Sequence, residues 1–186
     1  MVKNDFFGIK KLANLRVLIL IALFSTMSFI LGKFLAITVG NMRFSFENLP
    51  ILLCGILFGP VSGCLCGIIA DIVGCILYGY SINPIITLGA ASIGFLSGFI
   101  SVLFRKSKLG LRAFVSVLIP HVTGSLIIKT LGLCFWYDYP FFLTLGLRSI
   151  NYIIVGSAEF VLLYILLNNR GFCGQINRII GVRYDK

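Results

Sequence analysis

The fold is decided by residues 48–78, which read NLPILLCGILFGPVSGCLCGIIADIVGCILY. Asp71 is the only charged residue in this stretch, which is long enough for one long membrane helix or two shorter ones. Pro60 excludes one straight helix, because proline lacks a backbone N–H and its ring clashes with the preceding turn. The stretch therefore predicts two consecutive apolar helices, over 48–60 and 61–78.

Further apolar runs occupy most of the remaining chain, over 15–32, 84–104, 112–133 and 145–167. Of the 186 residues, 59% are hydrophobic and 12% are charged, and the mean hydropathy is +1.04. Soluble domains have about 25% charged residues, so a soluble enzyme is excluded. Because one membrane span takes about 20 apolar residues, six spans fill the chain. The composition predicts an all-α integral membrane protein with a single membrane domain over residues 1–186.

Basic residues predict how the chain is oriented. The net charge is +10, and twelve of the sixteen Lys and Arg residues flank the apolar runs in three groups: Lys3, Lys10, Lys11 and Arg16; Arg105, Lys106, Lys108 and Arg112; Arg170, Arg178, Arg183 and Lys186. Cytoplasmic loops carry an excess of Lys and Arg. Six helices place all twelve residues on one side, whereas five would divide them. We therefore expect a six-transmembrane-helix bundle with both termini cytoplasmic.

Glycines recur every four residues in the decisive stretch and again in the fourth run: Gly55, Gly59, Gly63, Gly67, Gly94 and Gly98. Small residues at this spacing let membrane helices approach until their backbones touch, so the pattern predicts close helix packing. The six cysteines lie mostly inside apolar runs and lack the paired spacing of a metal site or a disulfide framework. We interpret them as small buried side chains and expect no metal.

Four basic residues remain outside the cytoplasmic groups: Lys33, Arg43, Lys129 and Arg148. On the predicted topology all four fall at or near the outer face. Charge within a membrane is costly and usually has a function. Four converging cations in a cavity open to the outside would suit a ligand that carries carboxylates. The alternative is that Lys33 and Lys129 extend to the interface, where their ammonium groups meet water.

The sixth run carries polar residues on one helical face. Arg148, Asn151 or Tyr152, Val155 and Glu159 follow the spacing of helix neighbours. Lipid cannot satisfy these groups, so the face is expected to point into the bundle. Glu159 lies about 16 Å deeper than Arg148, and we interpret it as an internal partner of another polar group.

Asp71 and His121 are the other polar residues at mid-depth. A lone carboxylate in the membrane must be paired, protonated or bound to something polar. Asp71 is therefore expected either to accept hydrogen bonds from an amino-substituted heterocycle or to brace a neighbouring helix. His121 is interpreted as a hydrogen-bonded structural residue.

Aromatic residues collect at the predicted outer edge: Phe44, Phe46, Tyr78, Tyr80, Trp136, Tyr137 and Tyr139. An interfacial aromatic belt accounts for such a set without any ligand. A planar ligand stacked between the outer loops would use the same residues, so both interpretations stand at this stage.

Several catalytic patterns are missing from the sequence. It contains no Gly-x-x-x-x-Gly-Lys-Ser/Thr phosphate-binding loop and no His-Glu-x-x-His metal motif. Its predicted helices carry neither paired acids nor a Ser/His pair suited to hydrolysis within the membrane. The sequence therefore favours a binding or transport protein over an enzyme.

Residues 43–98 resemble a known family. The segment RFSFENLPI (43–51) leads into GILFGP (55–60), then Gly67-x-x-x-Asp71-x-x-Gly74, then NPIITLG (83–89). This series resembles the substrate-binding S components of energy-coupling factor (ECF) vitamin transporters, of the folate type. The motifs cover about a third of the chain.

The resemblance implies a membrane-embedded binding protein and not an enzyme. An S component captures a vitamin from outside and docks on a transmembrane coupling subunit that works with two ATPase subunits, so ATP is used by the partners and this chain needs no cofactor. Docking in the family uses an Ala-x-x-x-Ala pattern on the first helix. The nearest match is Ala22-x-x-x-Thr26, in which the second alanine is replaced. The implied location is a prokaryotic plasma membrane.

The resemblance also implies a ligand. Folate joins a flat pterin to a glutamate with two carboxylates, which the four outer cations would suit, while Asp71, Glu47, Asn83 or Asn151 could contact the pterin edge. The expected substrate-binding residues are Lys33, Arg43, Phe44, Glu47, Asp71, Tyr78, Asn83, Lys129, Trp136, Tyr137, Arg148 and Asn151.

Three other functions are weighed against folate uptake. An S component for riboflavin or a queuosine precursor would leave the outer cations without a charged ligand. A small membrane enzyme acting on lipid head groups would normally display clustered acids, histidines or a metal site. An accessory subunit would use its glycine faces only for packing.

Overall fold

The computed structural model describes residues 9–12, 14–39 and 42–180. Lys3, Arg183 and Lys186, which the sequence assigns to the cytoplasmic charge groups, lie outside the described residues. Within the described ranges most of the chain is helical, in agreement with the predicted class.

The elements follow in a simple order. The α-helices are α1 (Ile9–Leu12), α2 (Leu15–Phe34), α3 (Asn48–Phe58), α4 (Pro60–Tyr78), α5 (Pro84–Leu103), α6 (Leu109–Pro120), α7 (Lys129–Tyr137), α8 (Phe141–Asn168) and α9 (Arg170–Ile180). A π-helix, His121–Ile128, joins α6 to α7, and two short strands, β1 (Ile37–Val39) and β2 (Met42–Phe44), follow α2.

Five helical segments in the described ranges are long and apolar enough to cross a membrane: α2, α4, α5, the continuous segment Leu109–Tyr137, and α8. Helix α3 corresponds to the predicted second span, but its 11 residues rise only about 16 Å. The apolar core of a bilayer is about 30 Å thick. All residues of α3 are buried. Its apolar sequence therefore reflects a position inside the protein, where neighbouring helices replace lipid.

A short β-hairpin is the one non-helical element of regular structure in the described ranges, and the sequence did not predict it. β1 and β2 pair in antiparallel register, with Ile37 opposite Phe44 and Thr38 opposite Arg43. This hairpin lies between α2 and α3, where the sequence analysis placed only a loop. Its backbone hydrogen bonds hold the segment that carries Arg43, a predicted ligand contact, in a defined position.

Two predicted helices are longer in the structure. The fifth, expected over 112–133, extends from 109 to 137, and the sixth, expected over 145–167, runs from 141 to 168. Charged and polar residues near the expected ends find partners inside the protein: the Nε and Nη2 atoms of Arg112, for example, donate to Ser101 Oγ at 2.9 and 2.7 Å. The other four helices differ from their predicted bounds by at most two residues.

The predicted close packing at the glycines is confirmed. A Cβ atom added to Gly94 would lie 1.9 Å from the carbonyl oxygen of Gly63, and one added to Gly67 would lie 2.2 Å from that of Ala90. Any side chain at these positions would collide with backbone. Helices α4 and α5 therefore run antiparallel in direct backbone contact, and their glycines are required for that approach.

The chain reverses sharply between α3 and α4. Gly59 joins the two helices with φ of 110°, a conformation that favours glycine, and a Cβ on Gly63 would lie 2.6 Å from the Cα of Gly55. Pro60 occupies the first turn of α4, where its missing N–H costs no hydrogen bond. The reversal places α3 at the centre of the apolar core.

Candidate functional site

A cavity of about 920 Å³ lies at the end of the bundle where the hairpin meets the loops after α4 and α7. Small-molecule sites commonly measure about 300–1,000 Å³, so a drug-sized ligand fits. The polar and aromatic residues on the cavity wall are Ser28, Phe29, Arg43, Ser45, Glu47, Asn48, Asp71, Tyr78, Tyr80, Ser81, Asn83, Lys129, Tyr137, Tyr139, Thr144, Arg148, Asn151 and Tyr152.

Arg43 connects the hairpin to three helices around the cavity. Its Nη2 atom donates hydrogen bonds to the carbonyl oxygen of Gly32 and, at 3.1 Å, to the hydroxyl of Tyr78. Its own backbone carbonyl accepts a hydrogen bond of 2.6 Å from Asn151 Nδ2 on α8. The guanidinium also lies 5.5 Å from the centre of the Tyr78 ring, a cation–π distance. Arg43 is therefore held at the cavity wall by α2 and α4 through its side chain and by α8 through its backbone.

Glu47 and Lys129 form an ion pair inside the cavity. The Nζ atom of Lys129 lies 3.6 Å from Glu47 Oε1, and Lys129 is only 7% exposed. The lysine comes from the start of α7 and the glutamate from the residue before α3. Lys129 is thus a buried, paired cation, and it does not extend to the membrane interface.

The charge state of Glu47 follows from its neighbours. Burial alone would raise the pKa of the Glu47 carboxyl, but attraction to Lys129, Arg43 and Arg148 outweighs burial and lowers the pKa below its ordinary value. A lowered pKa means that Glu47 stays ionised at neutral pH. Glu47 is therefore an ionised carboxylate paired with Lys129, in a cavity that Arg43 and Arg148 also line.

Arg148 projects into the cavity from α8 and has an unused donor. Its Nη2 atom donates to the carbonyl oxygen of Ser125 and to the hydroxyl of Tyr152, both at 2.9 Å. Its Nε atom is buried and makes no hydrogen bond. A buried donor without a partner is costly, and a ligand acceptor could satisfy it after a change in the conformation of the Arg148 side chain.

A second polar pair joins His121 of the π-helix to Glu159 of α8, deeper in the bundle than Arg148. His121 Nε2 lies 2.5 Å from Glu159 Oε2, and His121 Nδ1 lies 3.3 Å from Ser125 Oγ. Both members of the pair are buried, and π-helical turns often occur at functional sites. The predictions that His121 is a hydrogen-bonded structural residue and that Glu159 is an internal partner are confirmed.

Asp71 and Asn83 both line the cavity and both bond to protein. Asp71 Oδ2 accepts a hydrogen bond of 2.6 Å from Thr87 Oγ1, which braces α4 against α5. Asn83 caps α5 through its side-chain oxygen, and its Nδ2 donates to the carbonyl oxygen of Gly132 at 3.0 Å. Asn83 is therefore largely committed to holding α5 against α7.

With this geometry established, comparison with known proteins assigns a family. A family model described as "ECF transporter, substrate-specific component" matches residues 16–180. The chain belongs to this family. The predicted membership among S components is thereby confirmed, and the protein is a multi-pass membrane component of a transport system. None of the curated protein sequences matches the chain significantly.

A solved structure described as FolT bound with folic acid shares the fold of this S component. The TM-score is 0.69, and the match covers 86% of this chain and 98% of that chain. The two sequences are 24% identical. The likeness therefore concerns the overall fold.

The cavity of the S component brings together nine of the twelve residues expected to bind substrate. They are Arg43, Glu47, Asp71, Tyr78, Asn83, Lys129, Tyr137, Arg148 and Asn151. Their grouping depends on the C-terminal ends of α2, α4 and α7 lying near the N-terminal ends of α3, α5 and α8. It gives the expected ligand contacts a common space, which three of the four predicted outer cations line.

Three expected site residues, Lys33, Phe44 and Trp136, do not line the cavity. Lys33 is exposed at the rim, with its Nζ atom 5.0 Å from the centre of the Tyr78 ring. Each of the three is next in sequence to a residue that lines the cavity. Consecutive side chains point about 100° apart in a helix and to opposite faces in a strand, so the neighbour of a lining residue points away from the cavity. The 50% exposure of Trp136 agrees with the membrane-interface alternative.

Several lining residues were not expected from the sequence, among them Ser28, Ser45, Asn48 and Thr144. Thr144 could have been found, because it precedes Arg148 by one helical turn on the same face. Ser28 could not. Its hydroxyl donates to the backbone carbonyl of Glu47 at 2.5 Å, a contact that depends on how α2 packs against α3.

Proposed function

We propose that this S component binds folate from outside the cell and delivers it inward together with an ATP-driven coupling module. The observation that carries the proposal is the group of three cations, Arg43, Lys129 and Arg148, around the Glu47 carboxylate in a cavity of suitable size. Charge-assisted hydrogen bonds to carboxylates are among the strongest in proteins. The cluster therefore suits a ligand with a dicarboxylate end, which in folate is the glutamate.

The opposite part of the ligand would meet aromatic and acidic groups. Tyr78 and Tyr80 stack with ring centres 5.5 Å apart, and Tyr137 and Tyr139 form a second pair at 6.3 Å. These rings line the cavity mouth, where a flat pterin can stack on them. Asp71 offers a carboxylate to the pterin N–H groups. That the protein described as FolT shares this fold and was crystallised with folic acid supports the same assignment.

The proposed binding side depends on orientation. Basic residues cluster at the helix ends on the opposite side of the bundle from the cavity. Those in the described ranges include Arg16, Arg105, Lys106, Lys108 and Arg170. The chain reverses direction at Gly59, so α3 and α4 run in opposite directions. The six apolar segments therefore alternate in direction along the chain, although α3 is too short to span the membrane. The excess of positive charge at the end opposite the cavity favours cytoplasmic termini and an outward-facing cavity.

Cysteine labelling tests this orientation. In a background whose native cysteines are replaced by alanine, a membrane-impermeant maleimide added to intact cells should label Ser81→Cys but not Lys108→Cys. Ser81 is exposed at the cavity mouth and Lys108 is exposed at the opposite end. Permeabilised cells, in which both variants should react, provide the control. Labelling of Lys108→Cys from outside would reject the proposed orientation.

Energy for uptake against a concentration gradient would come from partner subunits, because this sequence contains no phosphate-binding loop for ATP. We propose that α2 docks on the coupling subunit through Ala22 and Thr26, both of which are exposed on the helix surface. Thr26 satisfies its own hydroxyl by donating to the carbonyl oxygen of Ala22 at 2.9 Å. The patch is thus small and without unmet polar groups, which allows another helix to approach closely.

Ligand identification tests the proposed function directly. Small molecules extracted from the detergent-purified protein are identified by mass spectrometry, and the emptied protein is titrated with folic acid, riboflavin and a queuosine precursor. Folic acid should be retained and should bind at least about tenfold more tightly than the other two, since only it presents two carboxylates to the cations. Tighter binding of riboflavin or of the queuosine precursor would reject folate as the substrate.

A further inference from the structure

The cation cluster contains an acid that a simple anion site would not need. Glu47 lies 3.6 Å from Lys129 and is attracted also by Arg43 and Arg148. Asp71 is the other acid of the cavity wall, but it is bonded to Thr87. A site built only to attract a carboxylate would gain from the absence of Glu47, because like charges repel in a partly dehydrated cavity.

The burial of Lys129 explains why an acid is there. Lys129 is nearly buried, and a buried ammonium without a counter-charge is strongly destabilising. Since Glu47 remains ionised at neutral pH, it supplies that counter-charge. The protein can therefore keep a buried cation at the bottom of the cavity before any ligand arrives.

The pairing is close but not locked. The separation of 3.6 Å between Lys129 Nζ and Glu47 Oε1 exceeds the usual length of a charge-assisted hydrogen bond, about 2.7–2.9 Å. Glu47 precedes α3, and its side chain makes no capping bond to that helix. The backbone of Glu47 is fixed by Ser28, while its side chain is 38% exposed at the cavity wall. A ligand carboxylate can therefore reach Lys129 without unfolding any element.

We propose that Glu47 is a counter-anion built into the site, which neutralises Lys129 in the empty protein and which an anionic group of the ligand replaces on binding. The inference rests on the proposed function only in taking this cavity as the ligand site. It makes Glu47 a specificity-determining residue. A ligand must offset the loss of the Glu47–Lys129 pair, so a weak or single anionic group gains little and a dicarboxylate is favoured.

A different role for Glu47 gives the opposite result. If Glu47 accepted hydrogen bonds from the heterocycle of the ligand, removing its charge would weaken binding of a pterin, which the counter-anion role leaves unchanged. The two roles can therefore be separated with two fragments. Glutarate presents two carboxylates without a ring, and 6-methylpterin presents the ring without a carboxylate.

The test uses the full chain in detergent, with the rise in melting temperature as the measure of binding. For Glu47→Gln, the glutarate concentration that gives half of the maximal rise should fall about tenfold, because the competing charge beside Lys129 is gone. Binding of 6-methylpterin should not change. Asp138→Asn is the matched control: it removes an exposed acid from the loop after α7, and asparagine tolerates the left-handed conformation found there, φ of 53°.

Two further variants keep the test decisive. Glu47→Asp retains the charge on a shorter side chain, so its glutarate binding should rise less than that of Glu47→Gln, whereas Glu47→Gln/Lys129→Met, which removes both charges, should fold stably and bind glutarate more weakly than the original protein. Unchanged glutarate binding by Glu47→Gln, or loss of 6-methylpterin binding, would overturn the role of Glu47. Folic acid is titrated in parallel. Its failure to bind the original protein would reject the proposed substrate, while the glutarate series still decides the counter-anion.

Discussion

Ala22→Trp is expected to abolish folate uptake by the complete transporter while leaving folate binding by the isolated chain nearly normal. Ala22 is exposed on α2, whereas Ile21 and Ser25 on the same helix are buried. A tryptophan at this position would hold a docking helix away, because close approach of membrane helices depends on small residues at the contact. Ala22 is ten residues before Gly32 at the cavity, about 15 Å along the helix, so the binding site should not be disturbed.

Folate binding and folate uptake are both measured for each variant. Binding is determined on the purified chain, and uptake is determined in proteoliposomes that contain the coupling subunit, the ATPases and ATP. Ser157→Trp is the control, because Ser157 is also small and exposed but belongs to α8, and it should retain uptake. Normal uptake by Ala22→Trp would show that this face does not dock, and loss of binding together with uptake would show that the substitution damages the fold.

Arg148→Ala is expected to weaken folate binding by more than about 1 kcal/mol, the low end for losing a charge-assisted hydrogen bond in a dehydrated site. In the empty protein Arg148 already bonds to Ser125 and Tyr152, but its buried Nε has no acceptor. A ligand carboxylate would complete the hydrogen bonding of that guanidinium. Removing the side chain removes both a charge and this donor.

Two variants separate charge from structure in this experiment. Tyr152→Phe deletes the hydroxyl that Arg148 contacts but keeps the arginine, so folate affinity should fall less than in Arg148→Ala. Arg148→Lys keeps the charge but not the planar donor and should be intermediate. Affinities are measured by titration, with melting temperature as the check on folding. Unchanged affinity in a stably folded Arg148→Ala protein would assign Arg148 to bracing α8 against the π-helix.

The membrane class, the helix positions and the close packing of this S component were determined by the sequence. Each of these follows from local composition: the transfer of an apolar segment from water depends on its own residues, and a glycine permits backbone contact wherever its helix lies. The cations Arg43, Lys129 and Arg148 could also be selected, because charge within an apolar run is conspicuous.

The tertiary structure alone decided which apolar run is core and which residues meet. The composition of α3 does not distinguish a span from a buried helix, because lipid and protein interior favour the same side chains. Asn151 bonds to the backbone of Arg43 from 108 residues away, and Lys129 pairs with Glu47 between elements that no local pattern links. Such contacts are set by how helices pack and where the hairpin folds over them. The sequence therefore specified the charges of the site, and packing decided which charges face one another.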